Sequence, residues 1–162
     1  MIDVQVAVVG GGPAGLSAAL ECWRQGLREV LVIERDSMLG GILNQCIHAG
    51  FGLHVFGEEL TGPEYAKRFI DKVIDYEIPY QCDTMVINVT GDKVVTCVSR
   101  DNGLQHFKAQ AIILAMGCRE RPRGSLGTPG ERCAGIYTAG TAQKFTNLKG
   151  FMPGKEVVIL GS

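Results

Sequence analysis

The sequence predicts an α/β fold built on a parallel sheet, and three observations carry that reading. Val4–Val9 is an apolar run, broken only by Gln5, that ends at Gly10, as a strand covered on both faces would read. From Pro13 the spacing turns helical, with Leu16, Ala19, Leu20 and Trp23 on one side and Gly26 closing the helix. Val30–Glu34 is then a second apolar strand, so the chain opens as strand, helix, strand. With 162 residues, 46% of them apolar and 20% charged, it can bury the core of one ordinary domain. The 22 glycines, about twice average usage, imply many tight turns or close backbone approaches.

The remaining elements follow in order. Residues 37–60 form a glycine- and aromatic-rich loop region, long enough to suggest function. Thr61-Gly62-Pro63-Glu64 reads as a capping box launching a helix, with Tyr65, Phe69, Val73 and Ile74 on its apolar side. Three extended segments, 80–89, 94–99 and 104–109, are separated by Thr90-Gly91-Asp92 and Asp101-Asn102-Gly103, the pattern of an antiparallel meander. Ala111–Ala115 reads as a further buried strand, ending at Gly117. Residues 118–154, with Pro122, Pro129 and several glycines, read as a linker, within which 138–147 is expected to form a short helix. Val157–Ser162 echoes Val6–Gly11, so 155–162 is expected to be the first strand of a second, incomplete unit in a truncated chain. The expected division is therefore 1–117, 118–154 and 155–162.

Composition excludes some functions. A net charge of −1 leaves no electrostatic footprint for nucleic acid. Without a basic leader or an apolar run of 18 residues, the expectation is a cytoplasmic protein with no membrane partner. The six cysteines are scattered without a Cys-x-x-Cys, so no metal site is expected.

Chemistry concentrates at Gly10-Gly11-Gly12-Pro13-Ala14-Gly15, which fits G-x-G-x-x-G between strand and helix. Gly10 would make the tight turn, Gly12 would let backbone approach a pyrophosphate, and Gly15 would let helix pack on strand. The phosphates would sit at the helix N-terminus, where free N–H groups and the dipole favour negative charge. Glu34 lies 24 residues past Gly10, where an acid accepts hydrogen bonds from ribose hydroxyls. These residues predict a bound dinucleotide.

With Gly40-Gly41 after the second strand and a meander before Ala115-Met116-Gly117, the whole chain resembles the pyridine nucleotide-disulfide oxidoreductases, flavoproteins with two dinucleotide-binding domains. The resemblance implies a Rossmann-like FAD-binding domain with a parallel sheet and an inserted three-stranded meander, FAD on the first glycine loop, and NAD(P)H on a second domain begun by 155–162. It implies cofactor contacts at Gly10, Gly12, Pro13, Ala14, Gly15, Glu34, Arg35, Gly40, Gly41, the backbone near Val86, Ala115 and Gly117. Met116 replaces the family's usual threonine, which removes a side-chain hydroxyl there.

Two departures matter. Cys46 has no partner five positions earlier, where Gly41 stands, and Thr138–Ala142 contains no cysteine. Disulfide exchange needs an attacking and a resolving thiol, so disulfide reduction is not expected. The stretch Gly40–Glu64 and the run Cys118–Gly124 resemble instead the flavoprotein subunits of hydrogen cyanide synthase, opine oxidase and sarcosine oxidase. That branch implies a small-molecule amine, amino-acid or hydroxy-acid substrate and other oxidoreductase subunits as partners, with a homodimer left open.

No catalytic residue is assigned; Cys46, as a thiol near the flavin, and His48 are the candidates. His48 and His54 lie in the glycine-rich loop, where each is either an acid or base or an ordinary loop histidine, and Phe51 and Phe56 read as core. Arg119, Arg121, Arg123 and Arg132, interleaved with Glu120 and Glu131, read as a solvated hinge. Two rivals stay open: a single-domain NAD-dependent dehydrogenase, and a non-catalytic subunit that keeps the fold for assembly. The 162 residues by themselves are expected to be inactive and to hold flavin weakly.

Overall fold

The computed structural model describes residues 1–161. Strand β1 (Ile2–Val9) leads through the glycine loop into helix α1 (Pro13–Arg24) and strand β2 (Val30–Ile33). A 3-10 turn (Gly41–Gln45), strand β3 (Ala49–Phe51), the one-turn helix α2 (Leu53–Phe56) and strand β4 (Leu60–Thr61) occupy the long loop region. Helix α3 (Gly62–Asp75) precedes strands β5 (Tyr80–Gln81), β6 (Thr84–Val89), β7 (Val94–Ser99) and β8 (Gly103–Leu114). Two helices follow, α4 (Arg123–Leu126) and α5 (Ala139–Lys149).

The main sheet has six strands in the order β5-β2-β1-β8-β7-β6. The first four are mutually parallel and the last two antiparallel. One face of the parallel part packs Val6, Val8, Val30 and Val32 against Leu16, Ala19 and Leu20 of α1 and Val73 of α3. The other face packs Ala7, Leu31 and Ile33 against Val95, Cys97 and Phe107 of the meander. The parallel strands are therefore apolar on both sides, which is why Val6–Val9 and Val30–Ile33 read as continuous apolar runs. The meander folds back over the sheet: Thr84, fully buried, donates its amide to the Glu34 carbonyl (2.9 Å) at the end of β2.

Four expectations change. The strands anticipated at 104–109 and 111–115 are one, β8, antiparallel to β7 along its first half and parallel to β1 from Phe107 to Leu114. The segment 80–89 splits in two, because Tyr80 and Gln81 pair with Val32 and Ile33 before the chain turns at Cys82 and Asp83 into the meander. Residues 155–161 form no strand: Val157, Val158, Ile159 and Leu160 are exposed, and no neighbouring backbone supplies the ladder hydrogen bonds a strand requires. On α3 the apolar side is Ala66, Phe69, Ile70 and Val73, with Ile74 exposed.

Candidate dinucleotide site

The glycine loop joins the carboxyl end of β1 to α1, at the edge of the parallel sheet where open α/β folds bind their ligands. Gly10 takes φ +110°, open to glycine, and a side chain there would run into the Ala115 carbonyl oxygen. At Gly15 a side chain would overlap the Gly10 carbonyl oxygen, so the helix can meet the loop only as glycine. Gly12 is different: its added carbon would meet nothing nearer than Gly41 Cα at 3.9 Å. Gly10 and Gly15 are thus required by packing, whereas Gly12 leaves open the space that a phosphate would enter.

The helix end is bare. Gly12 is the N-cap, no side chain caps it, no acid stands in the first turn, and Pro13 occupies the start. The first intrahelical bond of the loop runs from the Leu16 amide to the Gly12 oxygen (2.9 Å), which leaves first-turn N–H groups for an anion.

Glu34 is buried and folded onto this loop. One carboxylate oxygen accepts from the Gly11 amide (2.6 Å), the other from the Asp36 amide (2.8 Å). The carboxylate so ties β2 to the loop while each oxygen retains a lone pair. Beside it, Gln81 pairs with Ile33 in β5 and leaves its side-chain oxygen buried without a hydrogen-bond partner. Arg35 is exposed and meets no acid within ion-pair distance among the described residues.

The glycine pair completes the cradle. The Gly40 amide donates to the Gly11 oxygen (2.8 Å), and an added carbon at Gly41 would approach Gly12 Cα to 2.9 Å. Gly40 and Gly41 both have positive φ, and Gly40 caps the 3-10 turn that follows. Ala115 closes the third side, its amide on the Val9 oxygen (2.8 Å), and Gly117 turns the chain away with φ +66°. Val86 is half-buried against the meander core, paired with Cys97 next to a register shift in β6, and close in sequence to the Thr84 bond on Glu34.

The structure thus gathers Gly10, Gly12, Pro13, Ala14, Gly15, Glu34, Gly40, Gly41 and Ala115 at one sheet edge. Cys46 and His48 stand apart. The Cys46 thiol donates to the Ile42 oxygen (3.3 Å), and its own carbonyl accepts from the Gly62 amide (2.9 Å). His48 bonds the Ala49 oxygen (3.0 Å) and leans on Phe51, with ring centroids 5.3 Å apart. Phe51 and Phe56 join Tyr65 and Phe69 in an aromatic cluster that anchors the loop to α3. Among the cysteines, burial pushes the Cys97 thiol up to about 11 and raises that of Cys82, where the Glu34 carboxylate adds to the effect. All six are free thiols.

Sequence reasoning missed Gln45, a buried amide at the end of the 3-10 turn. Its Nε2 donates to the Gly140 oxygen (3.0 Å) and to Gln143 Oε1 (2.8 Å), while its backbone oxygen accepts from Asn147 Nδ2 (2.7 Å). Its partners lie about a hundred positions downstream, so only the fold brings them together. A surface concavity of about 640 Å³ between Asp3, Asp92, Lys93 and Lys108 lies at the opposite end of the sheet and takes no part in this arrangement. Among the described residues no cluster of three His, Cys, Asp or Glu stands ready for a metal. No helix there is long and apolar enough to cross a membrane.

The sheet, the loop and the acid define an α/β dinucleotide-binding domain. The chain belongs to the pyridine nucleotide-disulphide oxidoreductase family, whose model matches residues 4–162. Members of this family are oxidoreductases that bind FAD and NAD(P)H. The chain is 30% identical to the hydrogen cyanide synthase subunit HcnB of Pseudomonas protegens, a match spanning 99% of this chain and 34% of that protein. Against an opine oxidase subunit of Rhizobium meliloti the identity is 31%, over 96% of this chain and 30% of that protein. Among solved structures, L-proline dehydrogenase from P. horikoshii superposes with a TM-score of 0.75 at 25% identity, covering 95% of this chain and 30% of that one. The chain therefore spans about a third of the length of the relatives it matches.

Proposed function

We propose that this chain is the FAD-binding portion of an FAD- and NAD(P)-dependent oxidoreductase that passes a hydride through the flavin to or from a small-molecule substrate. The observation that carries the reading is the bare N-terminus of α1, framed by Gly12 and closed from the far side by Gly41. The Ala14 and Gly15 amides would hold the pyrophosphate, and the open space at Gly12 would let it approach the backbone. Glu34, already positioned by the Gly11 and Asp36 amides, would accept ribose hydroxyls on its remaining lone pairs. Arg35, Val86, Ala115 and Gly117 would contact the cofactor at its rim. The bound flavin would supply the hydride chemistry; the chain supplies phosphate binding, orientation and a fixed carboxylate.

The relatives named as subunits of hydrogen cyanide synthase and opine oxidase support a place in a multi-subunit complex with an amine or amino-acid substrate. The free, separated cysteines support a reaction other than disulfide reduction. The test is anaerobic stopped-flow reduction of the full protein. FAD absorbance should bleach with NADH, NADPH or an amine donor, and Glu34→Ala should weaken FAD binding at least tenfold, roughly one charge-assisted hydrogen bond. Absence of bleaching with every donor would sink the reading.

A further inference from the structure

Helix α5 touches each of the three loops that build the site. From the β2 loop, Asp36 faces Lys144 across 3.9 Å, and the amide of Asp36 is the one bound by Glu34. From the glycine-pair turn, Gln45 holds Gly140, Gln143 and Asn147. From the loop after β8, Glu120 accepts from the Gly140 amide at 2.8 Å. The linker read from the sequence is therefore docked, not free, over this stretch. Otherwise α5 is a poor candidate for independent stability: it has 11 residues and buries none of them fully.

The three contacts differ in weight. The Asp36–Lys144 pair is about half exposed and long, so water screens it. Glu120 is exposed as well. Gln45 is buried, and its amide must find partners where water does not reach, so losing them leaves a donor unsatisfied. Its turn begins at Gly41, which packs on Gly12, so displacement of Gln45 is transmitted to the loop through five residues.

We propose that Gln45 is a positioning residue that locks α5 to the glycine-pair turn, so that order in α5 and occupancy of the dinucleotide loop are coupled. This inference rests on the FAD reading above. Because coupling is reciprocal, FAD binding must tighten α5, and loosening α5 must weaken FAD binding. Glu is the informative replacement: Gln45→Glu keeps the volume but sets an acceptor against the Gly140 carbonyl oxygen, which cannot turn into a donor.

The experiment is hydrogen exchange of the full protein with and without saturating FAD, for wild type and Gln45→Glu. In wild type, FAD should slow exchange of amides 14–16 and also of 142–149, each at least fivefold. In Gln45→Glu, protection at 14–16 should persist at saturation while protection at 142–149 disappears, with FAD affinity down roughly tenfold. Gln143→Ala, which removes one acceptor at the helix surface, should give a smaller change in the same direction. Protection of 14–16 with none at 142–149 in wild type overturns the coupling and leaves the FAD reading intact. Unchanged α5 protection in Gln45→Glu likewise overturns the role of Gln45. No protection at 14–16 in wild type fails the FAD reading, and the coupling with it.

Discussion

Helices α1 and α3 begin alike and end up with opposite tasks. Both follow a strand and both place proline in the first turn. At α3, Thr61 accepts from the Glu64 amide and Glu64 reaches back to the Thr61 amide (2.8 Å), a complete capping box. At α1, glycine holds the cap position and no side chain answers the first-turn amides. A helix that satisfies its own N-terminus gives up an anion site, and one capped by glycine gives up roughly a few tenths of a kcal/mol of local stability. The difference between the two helix ends lies at the cap, where α3 has Thr61 and α1 has Gly12.

The comparison can be broken most severely at Gly15. Gly15→Ala sets a methyl against the Gly10 carbonyl and should cost about 3 kcal/mol or more, visible as a large fall in Tm together with lost FAD binding. Gly12→Asp separates the two properties, since space is available there. It should give α1 its own acidic cap, leaving Tm unchanged or higher by an amount worth about 0.5–1 kcal/mol, while FAD affinity falls by more than tenfold. Retained FAD affinity in Gly12→Asp would end the assignment of the phosphate site to this turn. Thr61→Ala should do the reverse, costing about 1 kcal/mol by chemical denaturation with FAD affinity unchanged.

The smallest effect is a pH effect. Hydrogen bonds from the Thr61 backbone and side chain hold the Glu64 carboxyl below the ordinary value of 4.5. Its folded value being depressed, this contribution is present above pH 4.5 and is lost as pH falls through the folded value. Denaturation midpoints of wild type and Glu64→Gln should therefore differ at pH 7 and converge in acid. No such titration is expected at the start of α1, which carries no acid.

Local pattern made much of this legible. The apolar runs of β1 and β2, the glycine spacing and the Thr61–Glu64 box each declare themselves within a few residues, and each is found where expected. What stayed hidden depends on partners far along the chain. Gly103–Leu114 contains no break, yet changes from an antiparallel to a parallel neighbour along its length, so a turn-based division into two strands misplaced it. Tyr80 and Gln81 join β2 through backbone bonds that no side chain announces. Gln45 reads as one polar residue in a glycine-rich loop, and only α5 arriving across it gives it a role. Val157–Leu160 have a strand's composition without a strand's neighbours.

The double duty of β8 has a consequence for the order in which the molecule assembles. β1 lies between β2 and β8, and Val9 pairs with Leu114. On a ribosome adding about 5–20 residues each second, the first strand made waits for more than a hundred further residues before its second edge is covered. The glycine loop at the tip of β1 leans on Ala115, so it takes its final shape only after that residue has emerged. The earliest-written part of the site is among the last to be built, and until then an apolar strand edge is open to any passing chain.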